Sequence, residues 1–226
     1  MTRSDTGVVA TDVAWRVGYR WILKDISLTV SAGTMTLLVG GNGSGKTSLL
    51  RVLAGLARPA KGSVVCHGGI GFVAHHSMLY DSLTGRENLE FVMRLDGGHD
   101  PARVNALLAQ MGLEHAADRH LGTYSRGMIQ RLAIARALLS DPGVLLLDEP
   151  LTGLDEAASQ IVVDMIERRR SEGHAIIVAS HQLVELIGAA TEVGYLVSGS
   201  LAAWEPVNGG DAGSVMKRLR ELAADG

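Results

Sequence analysis

Apolar and polar side chains alternate along Ile26-Ser27-Leu28-Thr29-Val30, the period-two pattern of a half-buried strand. Residues 8–30 as a whole read as short strands broken by Gly18 and polar positions. The N-terminal portion is therefore β-rich. Thr34-Met35-Thr36-Leu37-Leu38-Val39 is an apolar run bounded by glycines, too brief for a helix and suited to a buried strand. Residues 48–57 carry Leu49, Leu50, Leu53, Ala54 and Ala57 at helical spacing, ended by Pro59. Strand-like pieces return within residues 61–73. From Thr84 to Leu121 the period becomes helical, with Glu87, Asn88, Leu89 and Phe91 in one helix and residues 101–111 in another. Helix 128–140, strand 144–147, helix 156–171 and strand 175–179 follow, an order that calls for a parallel sheet with crossover helices. A strand at 193–197, a linker at Asn208-Gly209-Gly210 and an amphipathic helix at 215–223 complete the pattern. The expected fold class is α/β, interrupted by an α-helical block.

Composition narrows this picture. In 226 residues, 46% are hydrophobic and 20% charged, enough apolar side chain for a globular core. Aromatics are only 4% against 28 Gly, so the core is aliphatic and the backbone turns tightly or approaches something closely. The formal net charge of −3 supplies no global field for a polyanion, and nucleic acid is not expected as a partner. The single Cys66 excludes an intrachain disulfide framework. No leader pattern occupies residues 1–10, so a cytosolic chain is expected. No apolar run approaches the roughly 20 residues that span a bilayer; membrane attachment must come from a partner.

Gly40-Gly41-Asn42-Gly43-Ser44-Gly45-Lys46-Thr47 matches G-x-x-x-x-G-K-[ST] between a predicted strand and a predicted helix, where that motif must sit. The glycines turn backbone N–H groups inward around phosphate oxygens, the helix that follows from Ser48 adds its positive end, and Lys46 faces the β/γ-phosphates. Thr47 is placed to give its hydroxyl to Mg²⁺. Val144-Leu145-Leu146-Leu147-Asp148-Glu149-Pro150 ends an apolar strand in two carboxylates. Asp148 can reach the metal shell, while Glu149 points past it to the γ-phosphate, where a water must be oriented and deprotonated. Ser125-Arg126-Gly127-Met128 precedes an apolar-periodic helix, for which Ser125 alone reads as an ordinary N-cap. His181 follows the strand 175–179 at the carboxyl edge of the same sheet.

In order and spacing this set resembles the nucleotide-binding subunits of ABC transporters, over roughly residues 8–203. The resemblance implies a P-loop NTPase: a RecA-like core with an N-terminal antiparallel β portion and an inserted helical subdomain at about 77–140. It divides the chain into an extension at 1–7, an ATPase domain at 8–205, and a linker with a C-terminal helix at 206–226. Leu154-Asp155 looks like the D-loop, His181 like the switch histidine, and 125–128 like the signature. By resemblance the cofactors are ATP and Mg²⁺, and Glu149, His181 and Lys46 are catalytic. A second copy supplies Ser125 and Gly127 to the γ-phosphate in trans. Integral membrane subunits are the other partners, and they place the chain on the cytoplasmic face of the membrane.

Three departures from the common family pattern stand out. The signature reads Tyr124-Ser125-Arg126-Gly127-Met128 in place of Leu-Ser-Gly-Gly-Gln, keeping the two residues that touch phosphate. His75 occupies the Q-loop position where Gln is usual. The adenine-stacking aromatic aligns with Val17, with Trp15, Tyr19 and Trp21 nearby. His75, the Ser-x-Gly-Met-x-Gln-Arg-Leu signature and residues 79–89 look like the ATPase of the cytochrome c biogenesis haem exporter. The alternatives are the ATPase of a general exporter of drugs, lipids or polysaccharide, and a soluble ABC ATPase outside transport.

Overall fold

A computed structural model describes residues 7–74, 78–207 and 211–224. The N-terminal portion forms two long strands, β1 (Gly7–Val17) and β2 (Arg20–Ser31), where the sequence suggested several short ones. Gly18, at φ 57°, makes the turn between them and so joins the strands that its presence was expected to break. β1 pairs antiparallel with β2 and with β4 (Lys61–His67), giving the sheet order β2-β1-β4.

The second sheet has the order β5-β6-β7-β3-β8-β9. Its strands are β3 (Met35–Val39), β5 (Ile70–Val73), β6 (Val144–Asp148), β7 (Ala175–Ala179), β8 (Glu192–Val197) and β9 (Ser200–Pro206). All neighbours run parallel except β9 at the edge. Every residue of β3, β6 and β7 is buried, which explains their unbroken apolar runs. The carboxyl ends of these central strands converge on one edge, where ligands of open α/β sheets bind.

Helix α1 (Lys46–Leu53) packs Leu49, Leu50, Val52 and Leu53 into the apolar layer shared with β1 and β2. It stops earlier than its apolar spacing suggests because Gly55 takes φ 73°, a left-handed conformation that ends a helix. The helical block contains α2 (Gly85–Leu95) and α3 (Pro101–Gln110), and α4 (Arg126–Ala137) ties it to the sheet. Thr84 and Glu87 close a capping box on α2, and Asp100 caps α3 with Pro101 in its first turn. α5 (Glu156–Ser171) and the short α6 (Leu183–Leu186) cover the sheet beside it.

The C-terminal helix α7 (Ala212–Ala224) lies against the main core. Val215 is buried, Leu219 and Leu222 pack on the same cluster, and Arg218 bonds Glu205 of β9 at 3.0 Å. No helix among the described residues is long and apolar enough to cross a membrane.

Candidate functional site

The loop between β3 and α1 is shaped by two glycines. A Cβ on Gly40 would collide with the Leu196 carbonyl oxygen and lie 2.5 Å from Ser44 Oγ, so no larger residue fits. Gly45 caps α1 at φ 108°, and no side chain satisfies the first-turn amides. Those amides keep their partial positive charge for a ligand. Ser44 Oγ is buried without a hydrogen-bond partner in the loop, as a phosphate cradle requires of its donors. Lys46 Nζ donates to the Gly40 carbonyl at 2.8 Å and to Gly41 at 3.2 Å. Burial lowers its pKa, while the nearby Glu149 and Asp148 oppose that shift.

Across the cleft, β6 delivers Asp148, 2% exposed, at its last position. Glu149 follows at φ 52°, a left-handed conformation uncommon for a non-glycine residue and costly unless neighbours enforce it. They do. Its N–H donates to Ala179 O at 2.8 Å, and Gln130 of α4 donates to Pro150 O at 3.2 Å. The Glu149 carboxylate accepts from Ser180 Oγ at 3.1 Å and the His181 N–H at 3.3 Å, and His181 Nε2 lies 3.5 Å from Oε1. A carboxylate held this way can accept a proton at a fixed point in the cleft.

The cleft encloses about 690 Å³. It brings together the sequence-predicted Asn42, Gly43, Gly45, Lys46, Thr47, Ser48, Asp148, Glu149 and His181. Gly40 and Gly41 line an adjoining cleft, and Ser44 is buried beneath the loop. Ser125 and Gly127 do not line it. Ser125 is exposed at the N-terminus of α4, where its Oγ accepts from Met128 N at 3.2 Å, and Gly127 follows it. His75 lies outside the described residues.

Arg20, Ile22, Thr152 and Gln182 also line the cleft, and none of them belongs to a motif that the sequence marks. The strand period carries a signal for two of them, since Arg20 and Ile22 share one face of β2 and Trp21 takes the other. Trp21 instead carries the Arg16 and Lys61 cations, at 5.4 and 5.7 Å from its ring centre. Val17 and Tyr19 are exposed and Trp15 packs on the β core, so none of the four expected positions lines the cleft.

Among the described residues no group of three or more His, Cys, Asp or Glu is arranged to hold a metal ion. Thr47 and Asp148 supply hard oxygen donors in the cleft. That set suits Mg²⁺, which completes its shell with phosphate oxygens and water.

The family model described as ABC transporter matches residues 23–152. The chain belongs to the ABC transporter ATP-binding family. Its relatives include the ABC transporter ATP-binding protein NatA of Bacillus subtilis, 35% identical over 196 residues and covering 79% of each chain. The cytochrome c biogenesis ATP-binding export protein CcmA of Novosphingobium aromaticivorans is 38% identical over 182 residues, covering 80% of this chain and 92% of the relative. The solved ATP-binding subunit of an ABC transporter superposes with a TM-score of 0.87 at 22% identity, over 95% of this chain and all of that one. The dimeric cassette MJ0796 superposes at 0.82 and 24% identity, over 90% of this chain and all of that one. Both likenesses establish the ABC cassette fold, and as a member of this family the chain is an ATP-binding subunit.

Proposed function

We propose that this ABC subunit hydrolyses MgATP to drive haem export or release in cytochrome c biogenesis. The observation that carries the hydrolytic part is the braced Glu149 carboxylate facing Lys46 across one cleft. Glu149 takes the proton of the attacking water, and Ser180 and His181 fix its direction. The α1 amides and Lys46 hold the β/γ-phosphates; Thr47 and Asp148 would hold Mg²⁺, which would supply neutralisation of phosphate charge. Ser125 and Gly127 complete the γ-phosphate shell from a second copy, in keeping with their position off their own cleft.

Haem enters through likeness. Two CcmA relatives, at 38% and 35% identity, align over 92% and 88% of their own lengths, and the signature and residues 79–89 support the same reading. A general exporter is the second reading, since NatA, an ABC transporter ATP-binding protein, aligns at 35% identity. Membrane subunits dock in a groove beside the helical block. About 330 Å³ in volume, it is lined by Leu56, Phe72, Met78, Val92 and Arg136 among others. Tyr80, Phe91 and Leu95 add exposed apolar surface nearby.

Deleting the gene and assaying covalent haem in c-type cytochromes tests the haem assignment. Loss of holocytochrome, restored by the wild-type chain but not by Glu149→Gln, is the expected result. Normal holocytochrome, with another export phenotype, assigns the chain to the general exporters.

A further inference from the structure

Beside the nucleotide cleft a second cleft of about 420 Å³ opens at the same edge of the sheet. Asn42 and His181 line both. The far wall of the second is apolar and comes from Leu183 of α6 and from Met216 and Leu219 of α7. Val215 and the Arg218–Glu205 ion pair at 3.0 Å fix α7 against the core. Met216 nevertheless stays 37% exposed, an apolar side chain at the rim of a site built to bind phosphate.

The signature carries a companion surface. A Cβ on Gly127 would lie 3.2 Å from the Gly153 carbonyl oxygen and 3.3 Å from Leu154 Cδ2, and a Cβ on Gly153 would meet the Arg126 side chain at 2.9 Å. The start of α4 and the turn at 153–154 are therefore packed directly on one another and present one continuous surface. When Ser125 and Gly127 of a second copy meet a γ-phosphate held beside Asn42 and His181, that copy's 153–154 turn arrives with them. The apolar wall on α7 is next to that point.

We propose that α7 is part of the ATP-dependent interface between two copies, with Met216 and Leu219 receiving the 153–154 turn of the second copy. This rests on the trans arrangement proposed above. It assigns the C-terminal helix a role in assembly, so that ATP sandwiching and the seating of α7 are linked.

The test uses the full chain carrying Glu149→Gln, which retains ATP, with dimerisation followed by analytical ultracentrifugation. Adding Met216→Asp puts a charge where apolar contact is needed. The dimer dissociation constant should rise at least about tenfold, with labelled-ATP binding to the monomer unchanged and Met216→Leu restoring dimerisation. In the parent Glu149→Gln chain, amide exchange across 212–222 should slow on ATP-driven dimerisation, a readout that survives any folding defect of Met216→Asp. An unchanged dissociation constant in folded Met216→Asp, or unchanged exchange in α7, overturns the role of α7 and leaves the trans site standing. Failure of the parent chain to dimerise with ATP, alone or with its membrane subunits, overturns both.

Discussion

His181 Nε2 lies 3.5 Å from Glu149 Oε1, while the His181 N–H reaches the other oxygen of the same carboxylate at 3.3 Å. One residue at the end of β7 thus faces both oxygens of a residue at the end of β6. The parallel pairing Asp148↔Ala179 makes this possible by setting the two strand ends side by side.

Glu149→Gln keeps the shape of this arrangement and removes the base. Turnover in the assembled complex is expected to fall by roughly 10²–10⁴ with ATP still bound. Single-turnover hydrolysis beside a labelled-ATP titration checks it. Wild-type-like turnover removes Glu149 from the role.

Lys46→Ala acts before chemistry. The lost ammonium otherwise makes a charge-assisted hydrogen bond to phosphate, a contribution on the order of 1.5–3 kcal/mol. Nucleotide affinity should weaken about tenfold or more. Unchanged affinity would contradict phosphate binding by this loop.

The phosphate loop was legible because its chemistry demands contiguous residues, and Gly40 and Gly45 show the close approaches that forbid side chains. Asp148 and Glu149 were legible because two carboxylates at the carboxyl end of a buried parallel strand sit where open α/β sheets bind their ligands. Gln130 was not. It reaches Pro150, in the turn after β6, from α4, a relation that exists only after α4 has packed on the sheet. Thr152 and Gln182 enter the cleft for the same non-local reason. On the β2 wall of the cleft, nearness in sequence to Val17 points to aromatics, whereas the strand period turns Arg20 and Ile22 to the cleft. The docking of α7 escaped because an amphipathic pattern shows that a face is buried without showing against what.

Mixing Lys46→Ala chains with Ser125→Arg chains tests the trans arrangement directly. In a heterodimer one composite site loses both contributions and the other keeps both. Activity should therefore reappear in mixtures of two inactive variants, up to about half per heterodimer. No recovery despite demonstrated heterodimers would place Ser125 in cis or outside the site.

Asp141 governs acid stability at the opposite edge of the sheet. Burial pushes its carboxyl up, but the hydrogen bond from Arg169 and the charges of Arg169 and Arg103 outweigh burial and hold it below the usual Asp range. A carboxylate with a lowered folded pKa contributes stability above its unfolded value and loses it as pH falls through the folded one. The Asp141 side chain is half-exposed, so Asp141→Asn should cost about 1–2 kcal/mol at neutral pH. The gap between variant and wild type should narrow as pH falls past the ordinary Asp value and close as it passes through the lowered folded one. Urea midpoints from neutral pH downward check it; a constant gap would mean that charge is not its source.

The docking groove gives the last prediction, and its chemistry decides which substitutions test it. Met78 Sδ lies 3.5 Å from Arg136 Nη2, so an Asp at 78 would pair with that guanidinium and mask the effect of the added charge. Leu56 is the better place for the charge, and Tyr80, which also interacts with Arg136, is better shortened than charged. Both are about half-exposed, and Tyr80 meets the Phe91 ring edge-on at 5.0 Å, so their replacement leaves the buried core intact. Tyr80→Ala with Leu56→Asp should leave ATP binding to the isolated chain unchanged and lower co-purification with the membrane subunits at least about tenfold. The groove lies between the nucleotide core and the helical block, and a partner helix lodged in it would cover its backbone from solvent. Amide exchange over 78–95 should slow in the wild-type complex for that reason. Unchanged exchange there, with full co-purification of the double variant, would move the docking site elsewhere and leave the ATPase site untouched.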